Sequence, residues 1–240
     1  MKIHSMICAF ALVAAASAAV VTGSNTCGLM NVPSTSQITM IAVPWVNVGG
    51  GDVEVAKLVK TDTLTAGDEL YYYDGVSYNR WVLNADKTWA PSAISNAQGT
   101  FVSPDAGLGI ARGQGLILVR QSTDSEIWVY GQHDTAAVSV KPAAGTTAAP
   151  AYTMIANPNT AAYDLNAQKA VGAAGDQIVF PGTTELYTCN GTAWTKIVSE
   201  QKTIGTKTIT VKKPSADGVV IPAGRGAWYV SKGGSPTINW

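Results

Sequence analysis

The sequence predicts a mainly β protein built from two tandem copies of one small domain. Two observations carry this prediction: an ordered set of motifs occurs twice, and few residues are charged. Asp, Glu, Lys and Arg make up 13% of the 240 residues, against roughly 25% in typical soluble proteins. The many Gly, Thr, Val and aromatic residues suit sheets joined by short turns. We expect each copy to form a small β-sandwich or partly closed barrel with one short helix.

The repeat is clearest in the motif Thr-Met-Ile-Ala, followed by one residue and a proline. It spans residues 39–44 and recurs 114 residues later at 153–158. Three more blocks follow in the same order at separations between 111 and 116. The first matches Asp52, Lys57 and Val59 with Asp164, Lys169 and Val171, and the second matches 69–71, Asp74 and Gly75 with 185–187, Asn190 and Gly191. The third matches Gly113, Gly115 and Val119 with Gly224, Gly226 and Val230. The order and spacing indicate a duplication, with copies at 19–134 and 135–240. We expect Met40, Tyr71 and Gly115 to be equivalent to Met154, Tyr187 and Gly226.

Each block predicts a local structure. Residues 38–43 form an apolar run closed by Pro44, which favours a buried strand. Residues 52–59 begin with an N-cap residue and predict a short helix. Residues 69–73 and 80–83 are strands joined by a turn at Asp74-Gly75, as Asn190-Gly191 is in the second copy. A last pair of strands is predicted at 116–120 and 127–131, echoed by 227–231 and 237–240. The join at 141–147 is a loop or the first strand region of the second copy.

The first residues have the layout of a secretory signal. Lys2 and His4 precede an apolar run from Met6 to about Val21, and Ala16-Ser17-Ala18 offers a cleavage pattern of small residues. We place the cleavage after Ala18, which makes residues 1–18 a signal peptide. The alternative is an uncleaved membrane anchor, for which the run is of marginal length. The prediction is a secreted or cell-surface protein whose mature form has no membrane span.

Two cysteines, Cys27 and Cys189, remain after removal of the signal. In an oxidising compartment they could form a disulfide, within one chain or between subunits. The alternative is two buried free thiols. Metal binding is not indicated, because no second Cys or His lies at ligand spacing.

Catalytic motifs are missing from the sequence. His133 is the one histidine left in the mature chain, and no Gly-x-Ser-x-Gly motif accompanies it. The glycines at 107, 109, 113 and 115 precede an apolar β run instead of a helix, which argues against a nucleotide-binding loop. The 16 basic and 16 acidic residues balance, and no basic stripe indicates nucleic-acid binding. We expect no enzyme activity, no cofactor and no metal.

Aromatic residues crowd the hairpin region of the first copy. Tyr72, Tyr78, Trp81 and, in the second copy, Trp194 are candidates for a sugar-binding surface, because flat exposed rings stack on pyranose rings. In this alignment Trp194 matches Tyr78. The alternative is that alternate residues of each strand face the core.

Taken in order, these elements resemble a module of exported bacterial surface proteins. The resemblance lies in the strand ends 42–44 and 156–158, the hairpins 70–81 and 186–197, and the turns 112–116 and 223–227. It covers nearly all of the mature chain and implies a surface β-domain without known catalysis. Arg112 departs from the pattern, which has Pro or Ala at that position.

The function that follows is a secreted structural or adhesive subunit. We expect it to assemble with itself into a filament or surface layer, through sheet edges or its N-terminal segment. The low charge content suggests edges without the lysines that keep β proteins apart. The alternative is a module that binds polysaccharide or another ligand.

Overall fold

The computed structural model describes residues 20–22, 27–32, 34, 36–46, 51–96, 99–105, 107–123, 126–132, 134, 136–170, 172–204, 207–215, 218–234 and 237–240. The predicted signal peptide, its cleavage site and His133 lie outside these residues.

The first predicted copy, residues 19–134 and called the first half from here on, contains short strands and one helix among its described residues. Its elements are β1 (Val20–Thr22), β2 (Cys27–Asn31), β3 (Ile38–Ala42), β4 (Val53–Glu54), α1 (Val55–Leu58), β5 (Glu69–Tyr73), β6 (Tyr78–Leu83), β7 (Trp89–Pro91), β8 (Ile94–Asn96), β9 (Gly99–Val102), β10 (Gly109–Ile110), β11 (Gly115–Val119) and β12 (Trp128–Gln132).

The second half, residues 135–240, is composed of strands and turns. Its strands are β13 (Ser139–Val140), β14 (Ala151–Ala156), β15 (Tyr163–Asp164), β16 (Gln177–Val179), β17 (Leu186–Cys189), β18 (Trp194–Ile204), β19 (Lys207–Pro214), β20 (Val220–Ile221), β21 (Gly226–Ser231) and β22 (Ile238–Asn239). The prediction of a mainly β protein is therefore confirmed.

Each half contains one large open sheet. In the first half the strand order is β3-β11-β5-β6-β9-β8, with β7 also paired to β6. In the second half it is β14-β21-β16-β17-β18-β19. Smaller sheets join β1-β2-β12, β4 with β10, β13 with β22, and β15 with β20. None of these described sheets closes into a barrel.

The two large sheets share the order of their first four strands, β3-β11-β5-β6 and β14-β21-β16-β17, and the register of the first pair. Ala42 on β3 lies opposite Gly115 on β11, and Ala156 on β14 lies opposite Gly226 on β21. The third position is also equivalent. β5 pairs with the other edge of β11, and β16 pairs with the other edge of β21.

The middle of the predicted alignment is wrong by one strand. Tyr71 lies on β5, which pairs with β11, whereas Tyr187 lies on β17, which is one strand farther from β21. The strand in the position of β5 is β16, preceded by Gly175 and Asp176 as β5 is preceded by Gly67 and Asp68. The Leu-Tyr match misled the alignment because β5 and β17 share this residue pair although they hold different positions in their sheets.

The predicted last strand pair is also corrected. β11 pairs with β3 and β5, whereas β12 pairs with β2 in a different sheet. In the second half β22 likewise pairs with β13. The last strand of each half thus pairs with a strand that precedes the large sheet, β2 in the first half and β13 in the second.

The predicted helix is short in the first half and replaced by turns in the second. Val53 and Glu54 pair with β10, so α1 has only the four residues Val55–Leu58. In the second half the Asp164 carboxylate accepts hydrogen bonds from the backbone of Asn166 and Ala167, and Lys169 has a φ of 54°. That left-handed residue ends the turn before a helix can continue. No helix in the described part of the chain is long and apolar enough to cross a membrane.

Two hydrophobic cores lie beneath the two large sheets. The first contains Met30 of β2 and Val129 of β12 together with Ile41 and Leu118 of the large sheet. The second contains Ile155, Phe180, Tyr229 and Ile238. Ala223 of the second half belongs to the first core, so the two halves pack as neighbours.

The contact between the halves is built on the residues of the Thr-Met-Ile-Ala motif. A Cβ atom at Gly226 would lie 2.6 Å from Cγ of Met40, and one at Gly115 would lie 3.6 Å from Cβ of Met154. The backbone N–H of Ala42 donates to the carbonyl of Gly224 at 2.8 Å. Glycine is therefore needed at position 226, where a Cβ atom would overlap Met40 of the first half, whereas the distance to Met154 at Gly115 is an ordinary van der Waals contact.

Candidate functional site

An aromatic crevice lies where the two large sheets face each other. We use this name for a set of six rings contributed by both halves: Tyr71, Tyr73, Tyr78, Phe101, Tyr152 and Trp228. It is one of two surface features that could serve a function.

Strand alternation directs these rings away from the cores. Leu70 on β5 is buried in the first core, so its neighbours Tyr71 and Tyr73 project to the opposite face. On β21, Tyr229 enters the second core, and Trp228 projects toward the crevice.

The rings form a continuous chain of contacts. Ring centroids lie 5.1 Å apart for Tyr71 and Phe101, 5.9 Å for Phe101 and Tyr78, and 4.8 Å for Tyr78 and Tyr73. Trp228 lies 6.3 Å from Tyr73 and 6.4 Å from Tyr152 in edge-on geometry. All these separations are within the range of favourable aromatic pairs.

Two adjoining cavities open along the crevice. One of about 550 Å³ has an apolar lining that includes Ile117 and Val230. The other, of about 750 Å³, adds the polar side chains of Asp74, Gln114 and Lys141. Both volumes fall in the range of pockets that bind small molecules.

An ion pair holds one wall of the crevice. The Arg80 guanidinium donates to Glu69 at 2.6 Å and to Ser92 at 2.7 Å, and Tyr71 also donates to Glu69. Burial alone would raise the pKa of Glu69, but the hydrogen bonds from Arg80 and Tyr71 outweigh it and the pKa is lowered. Burial and the bond to Glu69 raise the pKa of Tyr71. The Glu69–Arg80 pair thus holds the Tyr71 hydroxyl in place at the edge of the crevice.

The structure separates the four aromatic residues predicted to form one surface. Trp81 and Trp194 are buried, at 5% and 3% exposure, and belong to the two cores. Tyr72 packs against the first core and borders the larger cavity, while Tyr78 lies in the crevice. The four residues therefore do not form one exposed surface: Tyr78 and Tyr72 lie at the crevice, and both tryptophans are buried.

Sequence reasoning missed Phe101, Tyr152 and Trp228 as crevice residues. The alternation of side chains along a strand could have identified Trp228. Its neighbours Ala227 and Tyr229 face the core, so Trp228 faces the opposite side of the sheet. No local signal could have shown that rings from two halves converge.

The second feature is a projecting ribbon, by which we mean the paired residues 198–204 of β18 and 207–213 of β19. Every residue of β19 is exposed, and the strand pairs with β18 alone among the described strands. At about 3.3 Å per residue the ribbon extends roughly 20 Å beyond the sheet. Its outer edge presents unpaired backbone groups.

The ribbon has two unlike faces. Directly opposite residues of an antiparallel pair share a face, which places Val198, Ile209 and Val211 on one side with Glu200 and Lys213. Ile209 and Val211 are 43% and 37% exposed. The other face is a polar ladder in which Gln201 donates to Thr210 at 3.0 Å.

The first half folds the corresponding segment back onto itself. There β9 pairs in parallel with β6, placing Phe101 beside Tyr78. The ribbon is therefore a departure from the arrangement of the first half.

The ribbon also corrects the expectation that sheet edges lack lysine. β19 carries Lys207, Lys212 and Lys213 within eight residues. The low overall charge hid this local concentration.

Cys189 is a free thiol in this structure and is buried in the second core. Its sulfur lies 3.3 Å from the carbonyl of Gly172 and 3.4 Å from the backbone nitrogen of Gly191. The backbone of Cys27 pairs with Gln132 in the first half; its side chain lies outside the described atoms. The predicted disulfide within one chain is therefore not formed in this structure, because the Cys189 thiol is free and buried in the core of the second half.

The described residues hold no cluster of three or more His, Cys, Asp or Glu side chains that could bind a metal. No protein-family model matches the chain, and no curated protein or solved structure matches it either.

Proposed function

We propose that this chain is an exported structural or adhesive subunit that associates with further copies of itself, in a filament or a surface layer. The observation that carries the proposal is the projecting ribbon. A two-stranded ribbon that buries little apolar surface is marginally stable alone. Its exposed Ile209 and Val211 and its open edge gain most from packing against a partner.

A duplication is part of this proposal: each half is a two-layered sandwich derived from one ancestral domain. The shared order of the first four strands and the shared register at Gly115 and Gly226 support it. Two like units in tandem offer similar surfaces twice, which favours repeated contacts between subunits.

The N-terminal segment is assigned to the fold and not to subunit exchange. β2 is paired on both sides, with β1 and with β12, and Met30 is fully buried. Cleavage after Ala18 would leave β1 and β2 intact. N-terminal sequencing of secreted protein tests this, with Ala19 expected as the first residue.

The experiment that tests assembly compares the mature chain with a ribbon-shortened variant. Replacing residues 199–212 with Asn-Gly joins the paired residues Val198 and Lys213 through a favoured hairpin turn. All seven tryptophans remain, so near-ultraviolet circular dichroism reports whether the fold is kept.

Light scattering and negative-stain microscopy then give the outcome. We expect concentration-dependent assemblies of the mature chain and a monomer for the folded variant. A mature chain that stays monomeric at high concentration, without polymers by microscopy, contradicts the proposal.

A second candidate function, polysaccharide binding, is favoured by the aromatic crevice. Its contiguous rings could stack on sugar faces, and Asp74, Gln114 and Lys141 could bond to hydroxyl groups. Affinity electrophoresis in polysaccharide gels tests it with Trp228→Ala. The matched control is Tyr130→Ala, which removes an exposed ring on β12 outside the crevice. Loss of retardation in the first variant alone supports binding; equal mobility of both variants and the parent excludes the crevice.

A further inference from the structure

The balanced net charge conceals opposite charges on the two halves. Residues 19–134 contain eleven acidic and six basic residues, a net charge of −5. Residues 135–240 contain five acidic and nine basic residues, a net charge of +4. The protein is therefore electrically polar along its chain, which the sum over all residues does not reveal.

The positive charge is concentrated on the ribbon. It carries Lys202, Lys207, Lys212 and Lys213 against one acid, Glu200, which gives a local charge of +3. These four lysines are exposed, and the Glu200 carboxylate pairs with Lys213. The remaining three have no acidic partner on the ribbon and extend away from the body of the molecule.

The first half presents exposed acidic side chains. They are Asp52, Asp62, Asp74, Asp86, Asp105 and Glu126. Asp62 lies 3.3 Å from Lys60, and Asp74 and Asp86 accept hydrogen bonds within their own turns. Because acidic residues outnumber basic ones in the first half, its surface has a negative electrostatic potential that attracts a positively charged ribbon.

We propose that the ribbon of one molecule docks on the acidic first half of a second copy. The inference rests on the proposed self-association and adds its direction. Charge complementarity steers the encounter and fixes the relative orientation of the two molecules, while Ile209 and Val211 supply apolar surface to bury.

Contact between two ribbons is the main alternative arrangement, and charge opposes it. Pairing β19 with β19 of another molecule would bring two strands with three lysines each side by side, and like charges on adjacent strands are destabilising. Contact between a ribbon and a first half joins unlike surfaces. Such a head-to-tail contact leaves one free ribbon and one free first half, so it propagates into an open chain.

The test uses two charge-reversed variants of the mature protein. The ribbon variant carries K202E, K207E and K212E, which change the ribbon charge from +3 to −3. The body variant carries D52K, D62K and D105K, which change the first half from −5 to +1. All six positions are exposed, and circular dichroism checks that each variant is folded.

Assembly is measured by light scattering for each variant alone and for an equimolar mixture. We expect each variant alone to lose assembly and the mixture to regain it, because every contact in an alternating chain again joins opposite charges. For the parent protein, raising the salt from about 50 to 500 mM should weaken association about tenfold or more.

The outcomes separate this inference from the proposed function. If the parent assembles but both variants assemble equally well alone, the direction is wrong and the structural function stands. Assembly lost in both variants and not regained by the mixture also overturns the complementarity. If the parent never assembles, both proposals fail. Binding of the monomeric parent to an acidic polysaccharide such as polygalacturonate, abolished in the ribbon variant, would assign the ribbon to a different partner.

Discussion

Asp68 and Asp176 hold the same hydrogen-bonding position in the two large sheets. Each is fully buried and precedes the strand that pairs with β11 or β21. Oδ1 of Asp68 accepts from the backbone of Gln121, and Oδ1 of Asp176 from that of Lys232; Oδ2 accepts from Thr65 and Ala173 respectively. Each carboxylate thus ties a turn to the end of the neighbouring strand.

Replacing either aspartate with asparagine should destabilise the protein. The asparagine side chain has an NH₂ group in place of one carboxylate oxygen. That NH₂ group would face a backbone N–H donor, so at least one buried hydrogen bond is lost. We expect a reduction of about 2 kcal/mol in the free energy of unfolding for D68N. The reduction should be larger for D176N, because the native Asp176 carboxylate also accepts a hydrogen bond from the Tyr229 hydroxyl. Urea denaturation measures both. D86N, at an exposed turn, is the control, and equal losses in all three variants would contradict a special role.

The Tyr229 hydroxyl should make stability depend on alkaline pH. It donates to Asp176 at 2.6 Å, and burial first, then this bond, raise the pKa of Tyr229. A raised pKa in the folded state gives stability that is present below the unfolded value, about 10, and is lost as pH rises above it. The Tyr229→Phe variant should cost about 1 to 2 kcal/mol at pH 7.

The same variant should also flatten the decline in stability above pH 10. Urea midpoints at pH 8 and pH 10.5 measure the difference. Parallel declines in the parent and in Tyr229→Phe would show that other tyrosines dominate alkaline unfolding.

A methyl group at Gly226 should disturb the contact between the halves. Its Cβ would lie 2.6 Å from Cγ of Met40 and 3.1 Å from the carbonyl oxygen of Ile155. We expect Gly226→Ala to cost about 1 to 3 kcal/mol through overpacking. Gly218→Ala is the matched control, because its nearest neighbour would be a Val220 methyl at 3.6 Å. Thermal unfolding compares them, and equal melting temperatures would contradict the close approach.

Truncating Met30 should weaken the first core. The side chain is fully buried, and Met→Ala at such a site costs about 2 to 5 kcal/mol. Leu29→Ala on the opposite face of β2, where the side chain is half-buried, should cost less. If both variants unfold at the parent's denaturant midpoint, the N-terminal segment is a free tail and not part of the sheet.

The sequence allowed the strands of the repeat to be predicted, but not all of their partners. The Thr-Met-Ile-Ala motif identified β3 and β14 as matching strands, and Gly115 and Gly226 occupy matching positions on their partners. The pairing of each motif strand with the strand that carries the glycine was not predicted. The Leu-Tyr match failed because strand identity depends on long-range pairing, which short aromatic runs do not encode. Asp68 and Asp176 would have been better guides.

The candidate sites were harder to predict for a related reason. Tryptophan is a common residue in sugar-binding sites, which favoured Trp81 and Trp194 as candidates. Their positions in the alternation of side chains along each strand place both in the cores instead. The crevice needs rings from both halves, and the ribbon differs from its counterpart in how its strands pair, which depends on contacts distant in the sequence. Charge segregation was readable from the sequence once the halves were counted separately.

Hydrogen exchange of the ribbon amides is the most direct test of the account. It is measured on the parent protein at a dilute concentration and at one where light scattering reports assembly. We predict that amides of β19 exchange rapidly in the dilute protein and become protected in the assembly, together with a surface of the first half. Unchanged exchange throughout 207–213 in a sample that has assembled would contradict the claim that the ribbon joins the subunits.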